Sequence, residues 1–125
     1  MIERIDLSDA ELQFTFSTCV RAGDFVFTSH QAGFIGEEGN RVAGIEAQTE
    51  QMFRNLARDL AAAGATLDDV VKTTVYLKRI EDFSKMRDVY RTQFSNGYPA
   101  RMTATTDFVD SDCLVMIEAV AYKPR

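Results

Sequence analysis

The sequence predicts an α+β domain: one mixed β-sheet with two helices on a single face. Three observations lead there. Two segments repeat apolar residues at helical spacing, five shorter runs are rich in β-branched and aromatic residues, and the order along the chain is β-β-α-β-α-β-β. A chain of 125 residues fits one compact domain, so residues 1–125 are expected to fold as a unit.

The first two strands are expected as a hairpin. Gln13 to Ala22 is a Phe/Thr/Val-rich stretch, Ala22-Gly23-Asp24 reads as a turn, and Phe25 to Ser29 returns. Gly33 to Gly44 holds four glycines and Asn40 and reads as a loop. The period then changes. Ile45, Thr49, Met52, Phe53, Leu56, Leu60 and Ala63 mark one face of a helix, with Gly64 as its stop. Val70 to Leu77 is dense in β-branched residues and predicts a buried strand. Phe83, Met86, Val89, Tyr90 and Phe94 place a second amphipathic helix over Glu81 to Phe94, broken by Asn96-Gly97-Tyr98-Pro99. Two strand-like runs follow, Ala100 to Val109 and Leu114 to Tyr122, joined by the polar turn Asp110-Ser111-Asp112, which Asp107 and Asp112 serve. Two helices cover only one face of such a sheet. If the other face is apolar, a second copy of the chain is its economical cover.

Composition excludes several classes of function. Hydrophobic residues at 46% and charged residues at 26% are ordinary for a folded domain and unlike disorder. Fourteen basic against nineteen acidic side chains give a net charge of −5, which repels phosphate backbones and argues against nucleic acid as a partner. Arg54, Arg58, Lys78, Arg79, Lys85, Arg87 and Arg91 crowd the middle of the chain; they read as a solvated helix surface, with a local basic patch as the alternative. Cys19 and Cys113 lack CxxC spacing and there is one histidine, so neither a disulfide framework nor a structural metal site is expected. The N-terminus lacks the apolar core of a signal peptide, and no apolar run approaches the eighteen or so residues that span a bilayer. A cytoplasmic location without membrane association is the expectation.

No Walker A loop, GxGxxG, HExxH or GxSxG occurs, so nucleotide-dependent and zinc-hydrolase chemistry is not indicated. Three residues stand out. His30 follows the second strand beside a glycine and is the one side chain whose ordinary chemistry suits proton transfer near neutrality; a surface or hydrogen-bonded structural histidine is the alternative. Arg101 follows Tyr98-Pro99-Ala100 at a strand start, where an anchored guanidinium suits bidentate recognition of a carboxylate; a surface salt bridge is the alternative. Glu118 interrupts the apolar run Leu114 to Ala121, and a carboxylate there requires a partner or an interface. Period-two alternation puts Met116, Glu118 and Val120 on one face. Whether Arg101 shares that face, as an ion-pair partner of Glu118 or in a common site, depends on strand register.

Taken in order, AGDFVFTS, the stretch from Gly44 to Leu77, EDFSKMRDVYRTQF, Pro99-Ala100-Arg101 and the terminal IEAVAY resemble the RidA/YjgF family of reactive-intermediate deaminases, described in older usage as endoribonuclease L-PSP or translation inhibitor. The resemblance runs from about Phe16 to Tyr122. It implies a chorismate-mutase-like fold and a homotrimer with a central barrel and ligand sites in the clefts between subunits. It also implies cofactor-independent hydrolysis of 2-imino or enamine acids to 2-keto acids and ammonia. Carried over, Arg101 matches the carboxylate-binding arginine, and Ser29 and Phe16 match cleft-lining positions, Phe16 standing where tyrosine is usual. Other positions depart. Met116 occupies the place of the water-positioning glutamate, fifteen residues after Arg101, and a thioether cannot do that work. Glu118 matches a different acidic position. His30, Arg87 and Thr103 replace a common glycine, asparagine and cysteine. The reading is a deaminase with a divergent site, in which Arg101 anchors the acid, His30, Glu118 or backbone carbonyls organise water, and Ser29, Phe16, Arg87 and Thr103 line the pocket. The alternative is a trimer that binds small carboxylates without catalysis. RNA cleavage, attached to the family by name, is opposed by the charge and by the lack of an evident acid/base pair.

Overall fold

The computed structural model describes residues 1–8 and 14–125. Its strands are β1 (Ile2–Ile5), β2 (Cys19–Ala22), β3 (Phe25–Thr28), β4 (Gln31–Ala32), β5 (Val70–Leu77), β6 (Ala100–Thr105) and β7 (Val115–Tyr122); its α-helices are α1 (Ile45–Ala62) and α2 (Phe83–Tyr90). The strands form one mixed sheet in the order β1-β2-β3-β7-β5-β6, with β4 beside the first half of β7. Among the described residues only β5 and β6 run parallel, because α2 carries the chain across between them.

Both helices pack on one face. Val26, Val75, Leu77, Val115, Ile117, Ala119 and Ala121 from the sheet meet Met52, Phe53, Leu56 and Leu60 of α1 and Met86 and Tyr90 of α2, all buried. Along β7 burial alternates residue by residue, so Met116, Glu118, Val120 and Tyr122 point to the other, open face. There Phe25, Phe27, Tyr122 and Met102 stay 43–59% exposed. α1 ends as its sequence predicts. Gly64 takes φ 81°, and the N–H groups of Gly64 and Ala65 bond back to the carbonyls of Ala61 and Leu60, a Schellman arrangement. The buried Arg21 side chain also donates to the Ala63 carbonyl (2.8 Å), beyond the helix end, and to the Lys123 carbonyl (2.7 Å).

Several boundaries differ from the sequence expectation. β1 was not anticipated; it is a short edge strand whose IERI pairs antiparallel with β2, from Ile2↔Ala22 to Ile5↔Cys19. β2 begins at Cys19, and Gln13, the expected start of that strand, lies outside the described residues. β6 ends at Thr105 rather than Val109 because its partner β5 ends opposite it at Leu77. The regular part of α2 is shorter than Glu81 to Phe94, with a 3-10 turn over Ile80–Asp82 before it and single turns through Gln93 after it. The two C-terminal strands are not hairpin partners, since β5 lies between β6 and β7.

α1 approaches β4 closely. A Cβ on Gly33 would sit 1.8 Å from the backbone oxygen of Gln48, so only glycine permits the contact. Two side chains bridge the same seam: Asn55 Nδ2 donates to the Ala32 carbonyl (2.8 Å) and Gln31 Nε2 donates to Asp59 Oδ2 (2.6 Å). Asp59 is 2% exposed, and burial raises its carboxyl pKa above the usual carboxylate range against the opposing pull of Gln31 and Arg58. An acid that titrates higher folded than unfolded holds more protons when folded between the two values. Stability therefore falls as pH rises across that interval and stays lowered above it. Asp59→Asn, which keeps an oxygen for Gln31, is expected to gain on the natural chain as pH rises from about 4 toward 7. Urea midpoints across that range measure the gain, and a gap that does not change with pH contradicts it.

Candidate functional site

The proline turn before β6 delivers Arg101 onto the helix-bearing face of the sheet. In the parallel register Arg101 stands opposite Thr73, whose buried side chain points the same way. The guanidinium carbon of Arg101 sits 4.9 Å from the ring centre of Tyr90 and 5.5 Å from that of Phe83. Tyr90 cannot swing away. Its hydroxyl is hydrogen-bonded to the Thr73 hydroxyl (2.8 Å), and its ring packs on Phe53 and Phe94 at centroid distances of 5.5 and 5.1 Å. Burial pushes the Tyr90 hydroxyl pKa up, opposed by Thr73 and by the Arg101 charge. Among the described residues, Arg101 has no carboxylate within ion-pair distance. A cation held on aromatic faces without a counterion is prepared for an anionic ligand. It lines a cleft of about 350 Å³ with Arg87, Tyr90, Arg91, Tyr98 and Pro99. Thr103 lies two residues along β6 on the same face, its hydroxyl buried and without a hydrogen-bond partner among the described residues.

A second, larger cleft of about 800 Å³ opens at the ends of β3 and β4 and includes Phe16, Ser29, His30, Gln31, Asp59 and Met116. Phe14, Phe16 and His30 form a file of rings with successive centroids 5.3 Å apart. Ser29 donates its hydroxyl to the Ser17 carbonyl (2.6 Å), fixing the strand end. Asp59 brings a buried carboxylate to this wall. It also helps, after the effect of burial, to push the Cys19 thiol up to about 11, so that thiol is protonated at neutral pH.

The structure thus separates the residues singled out in the sequence. Arg101 and Arg87 share one cleft, and Phe16, Ser29 and His30 share the other with Met116. Glu118 belongs to neither. It pairs with Thr74 on the open face, beside Phe27, Lys72 and Val120, opposite to the face of Arg101, so the two form neither an ion pair nor a common site within one chain. Tyr90 and Phe83 read in the sequence as ordinary core positions of a helix. Asp59 did leave a signal, a carboxylate three residues after Leu56 on the buried stripe of α1. Of the mid-chain basic residues, Arg54, Arg58, Lys85 and Arg87 stand beside Glu37, Asp59, Glu46 and Asp88. Among the described residues no helix is long and apolar enough to cross a membrane.

Comparison with known proteins gives the fold its relatives. The family model described as Endoribonuclease L-PSP matches residues 9–123. A RutC family protein of Pyrococcus abyssi is 40% identical over 109 residues, 86% of each chain. The 2-iminobutanoate/2-iminopropanoate deaminase of Mus musculus is 33% identical over 107 residues, 85% of this chain and 79% of that protein. The crystal structure of RidA from the Antarctic bacterium Psychrobacter sp. superposes with a TM-score of 0.81 at 33% identity, covering 95% of this chain and 94% of that one. With the fold, the family model and relatives of this identity in agreement over most of its length, the chain belongs to the RidA/YjgF family.

Proposed function

We propose that the chain hydrolyses small 2-imino or enamine carboxylic acids to 2-keto acids and ammonia, at sites built between copies of a homotrimer. The observation that carries this reading is the guanidinium of Arg101, resting on the rings of Phe83 and Tyr90 with no carboxylate partner among the described residues. Kinship with a protein named as a 2-iminobutanoate/2-iminopropanoate deaminase supports the choice of reaction.

In this reading Arg101 takes the substrate carboxylate in a bidentate pair and fixes the imine carbon in space. Water adds to that carbon, the carbon–nitrogen bond of the resulting carbinolamine breaks, nitrogen leaves as ammonia and the keto acid remains. Handling the water calls for groups that accept and return a proton. Within one chain such groups lie in the other cleft, where His30 and Asp59 stand with Ser29 and Phe16. Two halves of one site on separate parts of a chain are joined when a second copy presents its half. The exposed Phe25, Phe27, Met102 and Tyr122 on the open face supply the apolar surface for that association, and Glu118 lies within it. Met116, standing where the family's glutamate positions water, favours a second reading: a trimer that keeps the carboxylate grip and has lost hydrolysis.

Two measurements test these statements. With 2-aminoacrylate or 2-iminobutanoate generated in situ, the chain is expected to accelerate loss of the imine, and Arg101→Ala to lower kcat/KM about a hundredfold. No acceleration across several imino acids, together with retained binding of 2-keto acids, selects the binding reading, and an unimpaired Arg101→Ala variant removes the arginine from either. Sedimentation at micromolar concentration is expected to give three times the chain mass, whereas a monomer contradicts the shared site.

A further inference from the structure

The Arg101 cleft carries more positive charge than one carboxylate needs. Arg87, Arg91 and Arg101 all line it, in a protein whose net charge is −5. Arg87 and Arg91 are one helical turn apart, at the end of α2 where backbone carbonyls favour cations. The Phe83 ring carries two of the three guanidinium groups, Arg101 at 5.5 Å and Arg87 at 5.8 Å from its centre. The counter-charge is slight. Asp88 approaches Arg87 at 3.7 Å with both side chains about half exposed or more, a pair of little energetic weight, and among the described residues neither Arg91 nor Arg101 has a carboxylate partner. The rest of the wall is Tyr90, Tyr98 and Pro99, which offers little aliphatic surface to an alkyl substituent.

Three like charges facing one small space repel one another, and a monocarboxylate occupying the fork of Arg101 leaves Arg87 with only its exposed pair to Asp88, and Arg91 with no carboxylate among the described residues. A ligand with a second carboxylate neutralises them. We infer that the cleft selects dicarboxylic substrates: 2-imino acids, and their 2-keto products, that carry a second carboxylate on a short side chain, held by Arg87 and Arg91 while Arg101 holds the carboxylate next to the reacting carbon. The inference rests on the carboxylate-site reading above and names its substrate class.

Isothermal titration of the natural chain with 2-oxoglutarate and with 2-oxobutanoate tests it. At low ionic strength 2-oxoglutarate is expected to bind about tenfold more tightly or better, a ratio that shrinks as salt is raised. In the double variant Arg87→Asn/Arg91→Gln that ratio is expected to fall to near one, with far-UV circular dichroism and sedimentation unchanged. Equal affinities in the natural chain, or a preference that survives in the double variant, overturn the dicarboxylate inference while leaving the Arg101 site in place. Failure of both keto acids to bind overturns the carboxylate site itself, and this inference with it.

Discussion

Arg101 carries its charge on the outermost strand of the sheet, where a long side chain would ordinarily wander through solvent and pair with any passing acid. Here two aromatic faces meet it, Phe83 and Tyr90, at the two ends of α2. Tyr90 is fixed at three points: the Thr73 hydroxyl on β5, Phe53 on α1, and Phe94 beyond the helix end. The strand that carries Arg101 is in parallel register with the strand that carries Thr73, so the cation and the group that orients its platform are neighbours across one ladder. A guanidinium that rests on two ring faces has less freedom to give up on meeting a carboxylate than one free in solvent. The core and the candidate site are therefore one piece of packing.

The second constraint is that a sheet with helices on one side leaves the other unfinished. Burial along β7 alternates cleanly between the two faces, yet the residues on the open face include aromatic and sulfur-bearing side chains that water does not favour. The residues suited to proton transfer and those suited to gripping an acid lie in separate clefts of one chain. The proposed association of copies would satisfy both facts, burying the open face while bringing unlike clefts together. On that proposal, catalysis or binding alone belongs to the assembly.

Much of this was legible in the sequence, for definite reasons. α1 and β7 were readable because a long stripe and a long alternation repeat their period many times, and the placing of Met116, Glu118 and Val120 on one face followed directly. β1 and β4 were too short to show a period. The relation between Arg101 and Glu118 was not readable, because it depends on β5 lying between their strands, a fact of topology that no local pattern encodes. Nor does a helix's apolar face announce which of its rings will meet a cation; Phe83 and Tyr90 acquire that role from the crossover that lays α2 over β5 and β6. Asp59 shows the converse, a buried carboxylate visible as an interruption of the α1 stripe whose partner Gln31 comes from a two-residue strand.

The central claim is that Arg101, which has no carboxylate partner among the described residues, holds the carboxylate of a small acid in a crevice shared by two copies of the chain. A crystal structure of the full chain soaked with 2-oxobutanoate tests it most directly. The account predicts the ligand carboxylate in a two-pronged pair with Arg101, with Phe16 and Ser29 of an adjacent copy closing over it. A structure in which Arg101 is instead paired to an acidic side chain, or in which the keto acid binds away from it, contradicts the account.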